Sequence, residues 1–265
     1  MKLKTFLTLI CLTIAGFNAI GQILHTESFA VVLDSTKMLK GSIVPSLKYQ
    51  NLKKDLLEFE NTSDLSIKLK ESAITIANKI ELSKYGEEVL LSGGFFYLEY
   101  RKLFENKFVV EPYSQLHWSE ARGLEFKYAG GINLRYRILL LEKLGLYVGT
   151  GPFYEFEEWN YDGVPYHLVP ANAVNITNEK VKLGSYLSFK WETNFNVDFD
   201  LSLYHQSEFK KIFYQPRLAS SSSVTINFTE HLGFIFQYQN IYDYSPLVPI
   251  DKLYNHFVAS FEISF

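Results

Sequence analysis

The sequence predicts a closed antiparallel up-and-down transmembrane β-barrel of about twelve strands. Apolar and polar residues alternate with a period of two along most of the chain, and short connections separate longer ones. The chain also ends in an aromatic residue, Phe265, preceded by apolar residues at alternate positions. Because successive side chains of a strand point to opposite faces, each alternating segment has one apolar and one polar face. This pattern is typical of outer-membrane barrels.

The first 21 residues have the layout of a cleaved secretory signal peptide. Lys2 and Lys4 form a positive start, an apolar run extends from Phe6 to Phe17, and small residues at 19 and 21 precede the predicted cleavage site. The apolar run is too short for a helix that spans a membrane. We therefore expect export and cleavage after residue 21.

The only cysteine of the chain, Cys11, lies inside this predicted signal peptide. Ile10 precedes it where a lipoprotein signal needs a small residue, so we expect Cys11 to be removed. The mature chain is then free of disulfides. We predict that residues 22–37 form a short periplasmic segment and that residues 38–265 form an outer-membrane β-barrel.

The strands are predicted from the alternation alone. In the clearest case, residues 124–138, the even positions are apolar and the odd positions include four charged residues. A helix with this sequence would distribute its charges around the whole circumference. The predicted strands are 38–50, 57–70, 73–84, 88–102, 108–118, 123–139, 143–157, 180–193, 196–207, 216–228, 232–243 and 252–265.

The connections predict how the barrel is oriented. Short links fall near 70–72, 194–196 and 229–231, and the longest connection covers 158–180. An even number of strands places both termini at the same, periplasmic side, so the short links are periplasmic turns and 158–180 is an extracellular loop. Closure follows because every backbone N–H and C=O must be paired in lipid.

Composition excludes several functional classes. The chain has 265 residues, of which 47% are hydrophobic, so it is not disordered. It has 26 basic and 29 acidic residues, which gives no electrostatic basis for nucleic-acid binding. The histidines show no metal-ligand spacing and there is no phosphate-binding loop, so we predict no metal and no cofactor.

The main structural alternative is a secreted soluble β-barrel binding protein, since alternation does not say which face is outside. Aromatic residues at the strand ends favour outer-membrane lipid as the surrounding medium, because barrels carry aromatic girdles at both interfaces. These aromatic residues are Tyr49, Tyr100, Trp118, Tyr136, Tyr154, Phe156 and Trp191.

Several stretches resemble one outer-membrane family. They are VEPYSQ at 110–115, GGINLR at 130–135, VGTGPFYE at 148–155, IYDYSP at 241–246 and the final Phe265. Together they are similar to the family of unknown function whose members are often labelled salt-induced outer membrane proteins. The resemblance covers most of the mature chain and implies a cell-envelope barrel of a Gram-negative bacterium. It supplies no catalytic residues. The terminal Phe resembles the signal that the barrel-assembly machinery reads, which implies that machinery as a partner.

A set of polar residues falls on the predicted inner faces and is the candidate lumen lining. Either these residues form a narrow solute channel, in which charge sets selectivity, or their opposite charges pair and close a structural barrel. Twelve strands lie between the filled and the open barrel sizes, so we expect a narrow or closed lumen. The predicted lining residues are Glu99, Arg101, Glu111, Tyr113, Gln115, His117, Glu125, Lys127, Arg135, Arg137, Lys182, Lys190, Glu192, Asp198, Asp200 and Glu262.

One pair of residues carries a catalytic alternative. His205 and Ser207 lie two apart on one strand and share its predicted lipid-facing side, where an imidazole could activate a hydroxyl. The pattern is similar to that of outer-membrane phospholipase, but Glu208 stands where that family has Asn. We therefore expect no enzymatic activity and retain a lipid hydrolase as the alternative.

Overall fold

The computed structural model describes residues 38–51, 53–104, 107–162 and 164–265. The predicted signal peptide 1–21 and the predicted periplasmic segment 22–37 lie outside the described residues. In the described residues, no helix is long and apolar enough to cross a membrane.

Twelve β-strands make up the architecture, as the alternation predicted. The largest shift from prediction is at the eighth strand, which begins at Ile176 rather than at residue 180. The strands are β1 Leu39–Asn51, β2 Asp55–Leu69, β3 Ser72–Tyr85, β4 Glu88–Phe104, β5 Phe108–Ser119, β6 Leu124–Leu141, β7 Leu144–Trp159, β8 Ile176–Glu192, β9 Val197–Glu208, β10 Arg217–Asn227, β11 Leu232–Asp243 and β12 Leu253–Ser264.

Every strand pairs antiparallel with its neighbours in the chain, and β12 pairs with β1, so the sheet is a closed up-and-down barrel. The fold class predicted from the sequence is confirmed. Three connections at one end are long, namely 160–175, 209–216 and 244–252. We call this end the loop end, and the opposite end, where β1 begins and β12 ends, the terminal end. The first three connections at the loop end are short, so the predicted alternation of short and long links holds only for the second half.

The two faces of each strand differ in chemistry. In β4 the outward side chains Phe96 and Leu98 are about half exposed, at 50% and 51%, whereas the inward Glu99 and Arg101 are each 2% exposed. A soluble barrel buries apolar residues and exposes charged ones. This barrel has the reverse arrangement, which is that of a barrel surrounded by lipid.

Outward aromatic side chains form cross-strand pairs near both ends, where a membrane barrel carries its aromatic girdles. The predicted aromatic residues Tyr100, Tyr154 and Trp191 all have exposed rings on this outer surface. The pairs are Phe126–Phe156 and Tyr128–Tyr154 nearer the loop end, and Phe108–Tyr136 and Trp191–Phe199 nearer the terminal end.

The contact between β1 and β12, which we call the seam, is the shortest ladder in the barrel. Within these two strands the register contains only Ser42 opposite Ser264 and Ile43 opposite Ile263. Gly41 and the final Phe265 add a pair of reciprocal backbone hydrogen bonds, each of 3.0 Å. By contrast, β1 pairs with β2 over its whole length. The seam is therefore joined only near the terminal end.

Candidate functional site in the barrel interior

Most of the sequence-predicted lining residues lie inside the barrel. Glu192 is exposed at the terminal rim. Tyr113, Lys190, Asp198, Asp200 and Glu262 are half-buried. The buried ones are Glu99, Arg101, Glu111, Gln115, His117, Lys127, Arg135, Arg137 and Lys182.

Glu125 is a correction to the predicted lining. The register between β6 and β7 shifts between Leu124 and Phe126, which marks a β-bulge. The bulge puts Leu124 inside the barrel with no exposed surface, where strict alternation would have placed it outside. Glu125 instead lies exposed at the loop end, where its carboxylate accepts hydrogen bonds from the side chains of Asn160 and Asn175, both 3.0 Å long.

A first group of buried charges, the central cluster, lies nearer the terminal end and comprises Glu99, Arg101, Glu111 and Arg135. The Glu111 carboxylate lies 3.3 Å from the guanidinium of Arg101 and 3.3 Å from that of Arg135. Arg101 also contacts Glu99. The hydroxyl of Tyr186 on β8 donates to Glu111 on β5 at 2.6 Å. Since these strands are three apart in the barrel, this bond crosses part of the lumen.

A second group, the mouth cluster, lies nearer the loop end and centres on Glu155 of β7. Its carboxylate lies 2.7 Å from Nζ of Lys127 and 3.0 Å from the guanidinium of Arg217, and it contacts Lys182. Glu157 extends the cluster, at 3.3 Å from both Lys127 and Arg217. Arg217 belongs to β10, so its ion pairs with Glu155 and Glu157 of β7 also bridge strands that are three apart.

Asp243 completes the mouth cluster. Its carboxylate accepts a 3.0 Å hydrogen bond from Nε of Arg217, opposite which it lies in the β10–β11 ladder. Three carboxylates and three cations therefore share one buried volume, and each needs the others because an uncompensated buried charge is very costly. The cations and carboxylates of the mouth cluster therefore pair with one another inside the barrel.

An apolar cap covers the mouth cluster at the loop end. Trp159 and Leu124 have no exposed surface, and Val248 of the third long loop is 1% exposed. Val164 brings the first long loop into the same cluster. Further apolar side chains pack around them, namely Tyr161, Val169, Ile176, Leu247 and Ile250. The loops thus fold inward over this part of the mouth instead of extending away from it.

One contact spans the barrel at the same level. Arg122 lies in the turn between β5 and β6, and its guanidinium carbon is 3.9 Å from the ring centroid of Tyr254 on β12. In a ring of twelve strands these positions are about diametrically opposed. Arg122 is also 5.6 Å from the Trp159 ring. Burial lowers the pKa of Arg122 from its usual value, but an arginine stays charged in proteins.

A third group, the seam-side cluster, comprises Glu60, Lys79, Glu81 and His256, and lies behind the seam. Nζ of Lys79 is 2.9 Å from Glu60 and contacts Glu81, and Nε2 of His256 is 4.0 Å from Glu60. Ligand atoms of Glu60, Glu81 and His256 lie within 4.8 Å of one another, as in a metal site. The Lys79 ammonium, however, lies between the two carboxylates and supplies the positive charge that a metal would bring.

A cavity of about 40 Å³ lies between the central and mouth clusters, and tyrosine side chains, including Tyr97, Tyr113, Tyr186 and Tyr204, line much of it. That volume holds a few water molecules. It is far below the several hundred Å³ of a typical small-molecule pocket.

The structure does not bring His205 and Ser207 together as a catalytic pair. His205 Nε2 lies 3.0 Å from the carbonyl oxygen of Ile212, and Ser207 donates at 3.2 Å to the carbonyl of Glu208. Ser207 is only 2% exposed, so the predicted lipid-facing position is a correction. The contact with Ile212 shows why: the second long loop folds back along the outside of β9.

Sequence reasoning missed several members of these clusters, among them Glu155, Glu157, Lys79 and Arg217. Glu155 and Glu157 alternate with outward aromatic residues in β7, so the same alternation could have found them. Arg217 gives a weaker signal because it is the first residue of its strand.

Comparisons with solved structures give distant matches to other barrels. The chain is similar to the NanC porin, with 10% sequence identity over 86% of this chain and 98% of that one, at a TM-score of 0.42. It is also similar to the β-domain of the Bordetella autotransporter BrkA, with 10% identity over 85% and 96% and a TM-score of 0.40. The Pseudomonas putida toluene transporter TodX matches with 9% identity over 86% and 80%, at a TM-score of 0.39.

No family model and no curated protein matches the sequence of this chain.

Proposed function

We propose that this protein is an outer-membrane β-barrel of a Gram-negative cell envelope whose interior is closed to the free flow of solutes. The apolar outer surface and the buried charges inside support a position in a membrane, because lipid contacts apolar side chains outside while the charged side chains are enclosed within the barrel. Because buried side chains of opposite charge pair with one another, they favour a structural barrel rather than a selective pore.

The observation that carries this proposal is the contact of Arg122 with Tyr254 across the diameter of the barrel. A solute that entered along the axis would have to separate these two side chains and the mouth cluster beneath them. Separation leaves buried cations and carboxylates without a neighbouring charge of opposite sign, which costs several kcal/mol of free energy. We therefore expect no steady conductance.

Conductance in planar phosphatidylcholine bilayers tests the proposal. The wild-type protein should give no discrete, long-lived steps, and Arg122→Ala combined with Tyr254→Ala should give steps, because the spanning contact is removed. A matched control is Lys54→Ala, which removes an exposed loop-end cation that pairs with Glu88. Regular conductance steps in the wild-type protein would refute the closed interior. No steps in a correctly folded double variant would refute the closing role of the Arg122–Tyr254 contact.

Export and assembly are part of the proposal. The predicted signal peptide and the terminal Phe265 support insertion through the barrel-assembly machinery into outer-membrane lipid, and the family resemblance supports the same location. Replacement of Phe265 by Ser should lower the fraction of heat-modifiable protein in outer-membrane fractions. If that fraction is unchanged, Phe265 is not the assembly signal.

The proposal gives His205 and Ser207 no catalytic role. Phospholipid vesicles incubated with the wild-type protein should release no fatty acid above the level of a Ser207→Ala control. Release that disappears in Ser207→Ala would instead establish the hydrolase alternative.

A further inference from the structure

The seam ends at a proline. Gly41 and Phe265 exchange backbone hydrogen bonds, so along β1 the hydrogen-bonded positions facing β12 continue at Ile43 and then at Pro45. Continued register would place Pro45 opposite Phe261, but proline has no N–H to donate. The hydroxyl of Ser260 donates instead to the carbonyl of Pro45 at 3.1 Å. The ladder therefore stops at a residue that cannot extend it.

Beyond Pro45 the exposure of β1 is that of an open edge. Its inward residues Ser46, Lys48 and Gln50 are all exposed, although they face the lumen by alternation. At comparable positions two strands away, the inward residues Lys79 and Glu81 of β3 are 7% and 5% exposed. The lumen is therefore accessible beside β1 and enclosed beside β3.

Apolar side chains flank this opening on the outside. Leu47 and Tyr49 of β1 are 71% and 60% exposed, and Phe257 and Phe261 of β12 are 59% and 56% exposed. The opening occupies the loop-end half of the seam, so in a membrane it faces the outer leaflet. Backbone groups at that depth need a hydrogen-bonding partner, which lipid tails do not provide. Whatever fills the opening must combine an apolar part with polar groups.

The side chains behind the opening define the polar group that fits. Lys48 pairs with Glu58 at 2.7 Å, and Lys79 lies between Glu60 and Glu81. Three carboxylates thus face two ammonium groups, with the imidazole of His256 beside them. The surplus is one negative charge, which favours a cationic head group over an anionic one.

We propose that the loop-end half of the seam is a lateral opening that binds an amphiphile from the outer leaflet. Its polar ammonium head group lies between β1 and β12 and reaches the seam-side cluster, and its apolar chain lies against the outward side chains Leu47, Phe257 and Phe261. The apolar cap covers the loop end over β6 to β8, whereas the lumen beside β1 is accessible through the seam. This inference stands apart from the conductance proposal, because a lateral site does not require an axial pore.

Cysteine cross-linking in membranes tests whether the seam is open. Lys48 and Val258 would face each other if the register continued, so Lys48→Cys with Val258→Cys should not oxidise to a disulfide but should be bridged by a longer bis-maleimide. The matched control is Glu58→Cys with Ser83→Cys, an inward pair that is in register between β2 and β3. This control pair should oxidise directly.

Two cross-linking results would overturn the opening. If the seam pair oxidises as fast as the control pair, the seam is closed in the membrane. If Lys48→Cys cross-links mainly to a second copy of the chain, a strand of another molecule fills the edge, and the amphiphile does not.

Fluorescence quenching tests the occupant. The probe is a long-chain alkylammonium carrying a nitroxide, in phosphatidylcholine vesicles, with bimane attached to Ser46→Cys in the seam or to Leu134→Cys on the lipid-facing side of β6. Quenching at Ser46→Cys should saturate at about a tenfold lower probe-to-lipid ratio than at Leu134→Cys, since one unbalanced charge in a partly enclosed site attracts a cation strongly.

The head-group preference is checked by competition. Unlabelled alkylammonium should reverse the quenching at Ser46→Cys, alkyl sulfate of equal chain length should not, and Glu60→Gln should weaken the binding. Parallel, non-saturating quenching at both positions, or equal competition by the sulfate, would refute the proposed site.

Discussion

The wall around β7 and the seam between β1 and β12 close the same barrel in different ways. Along the wall, β7 and β8 pair continuously from Leu144 opposite Trp191 to Trp159 opposite Ile176. Along the seam, the ladder ends after a few residues. The charged side chains differ accordingly: Lys127 and Glu155 have no exposed surface, whereas Lys48 and Glu58 have side chains that are 52% and 41% exposed.

The comparison teaches that an ion pair in this barrel depends on the ladder that encloses it. A buried pair loses its hydration and must be compensated completely, so the loss of one partner is severe. An exposed pair retains its water and contributes little. Ion pairs in the wall around β7 therefore contribute most to the stability of the barrel. Charged side chains at the seam contribute little to stability and are available to bind a ligand.

The largest expected effect is in the wall, for Glu155→Gln. This substitution removes the carboxylate that compensates Lys127, Lys182 and Arg217, so the free energy of unfolding should fall by about 3–5 kcal/mol. The measurement is urea unfolding in lipid vesicles, followed by heat-modifiable migration. The matched control is Glu58→Gln, whose partner is exposed. A loss below about 1 kcal/mol for Glu155→Gln would mean that water reaches the mouth cluster.

The next effect is at the closed part of the seam, for Gly41→Ala. A Cβ at Gly41 would lie 2.7 Å from the Phe265 ring and 2.8 Å from the carbonyl oxygen of Asp64. Such overpacking should destabilise the barrel by about 1–3 kcal/mol and separate β1 from β12. Gly184→Ala in β8 is the control, because its nearest atoms would be 3.6 Å away. Equal stability of the two variants would show that the seam does not need the close approach of Phe265.

A smaller effect of opposite sign is expected for Pro45→Val. Valine restores an N–H at the position where the ladder stops, and one additional backbone hydrogen bond should stabilise the barrel by about 1 kcal/mol. The same variant should oxidise faster when combined with the Lys48→Cys and Val258→Cys pair. Leu47→Val is the control, since it changes an outward side chain without adding a donor. If Pro45→Val behaves like Leu47→Val, something other than the proline holds the seam open.

The alternation of apolar and polar residues predicted the strands and most of their inner faces, because alternation is a local property of the sequence. It placed Glu99 and Lys127 on the inner face and found all twelve strands, since the two faces of each strand meet different media. It failed at Glu125, where a single extra residue in a bulge reverses the faces, and at Ser207, where a loop folds back over the outer surface.

The clusters themselves could not be predicted from alternation. Glu155 and Arg217 are 62 residues apart in the chain and meet only because β7 and β10 curve around the same lumen. Likewise, Pro45 looks like an ordinary edge residue in the sequence, and its importance appears only when the register of β1 against β12 is known. Non-local pairing and register are properties of the closed barrel, so they require the structure.

The smallest expected effect is the most sensitive test of the comparison. Lys48→Met removes the cation of an exposed pair, so the free energy of unfolding should change by less than about 1 kcal/mol, and this change should become smaller still at high salt. Lys79→Met, measured in the same way, should cost clearly more, because Lys79 is 7% exposed and leaves two carboxylates without their cation. A large loss for Lys48→Met would mean that membrane lipid excludes water from the seam. The wall and the seam would then differ in the length of their hydrogen-bonded ladders but not in their access to water. The surplus negative charge behind the seam would attract an ammonium head group even more strongly.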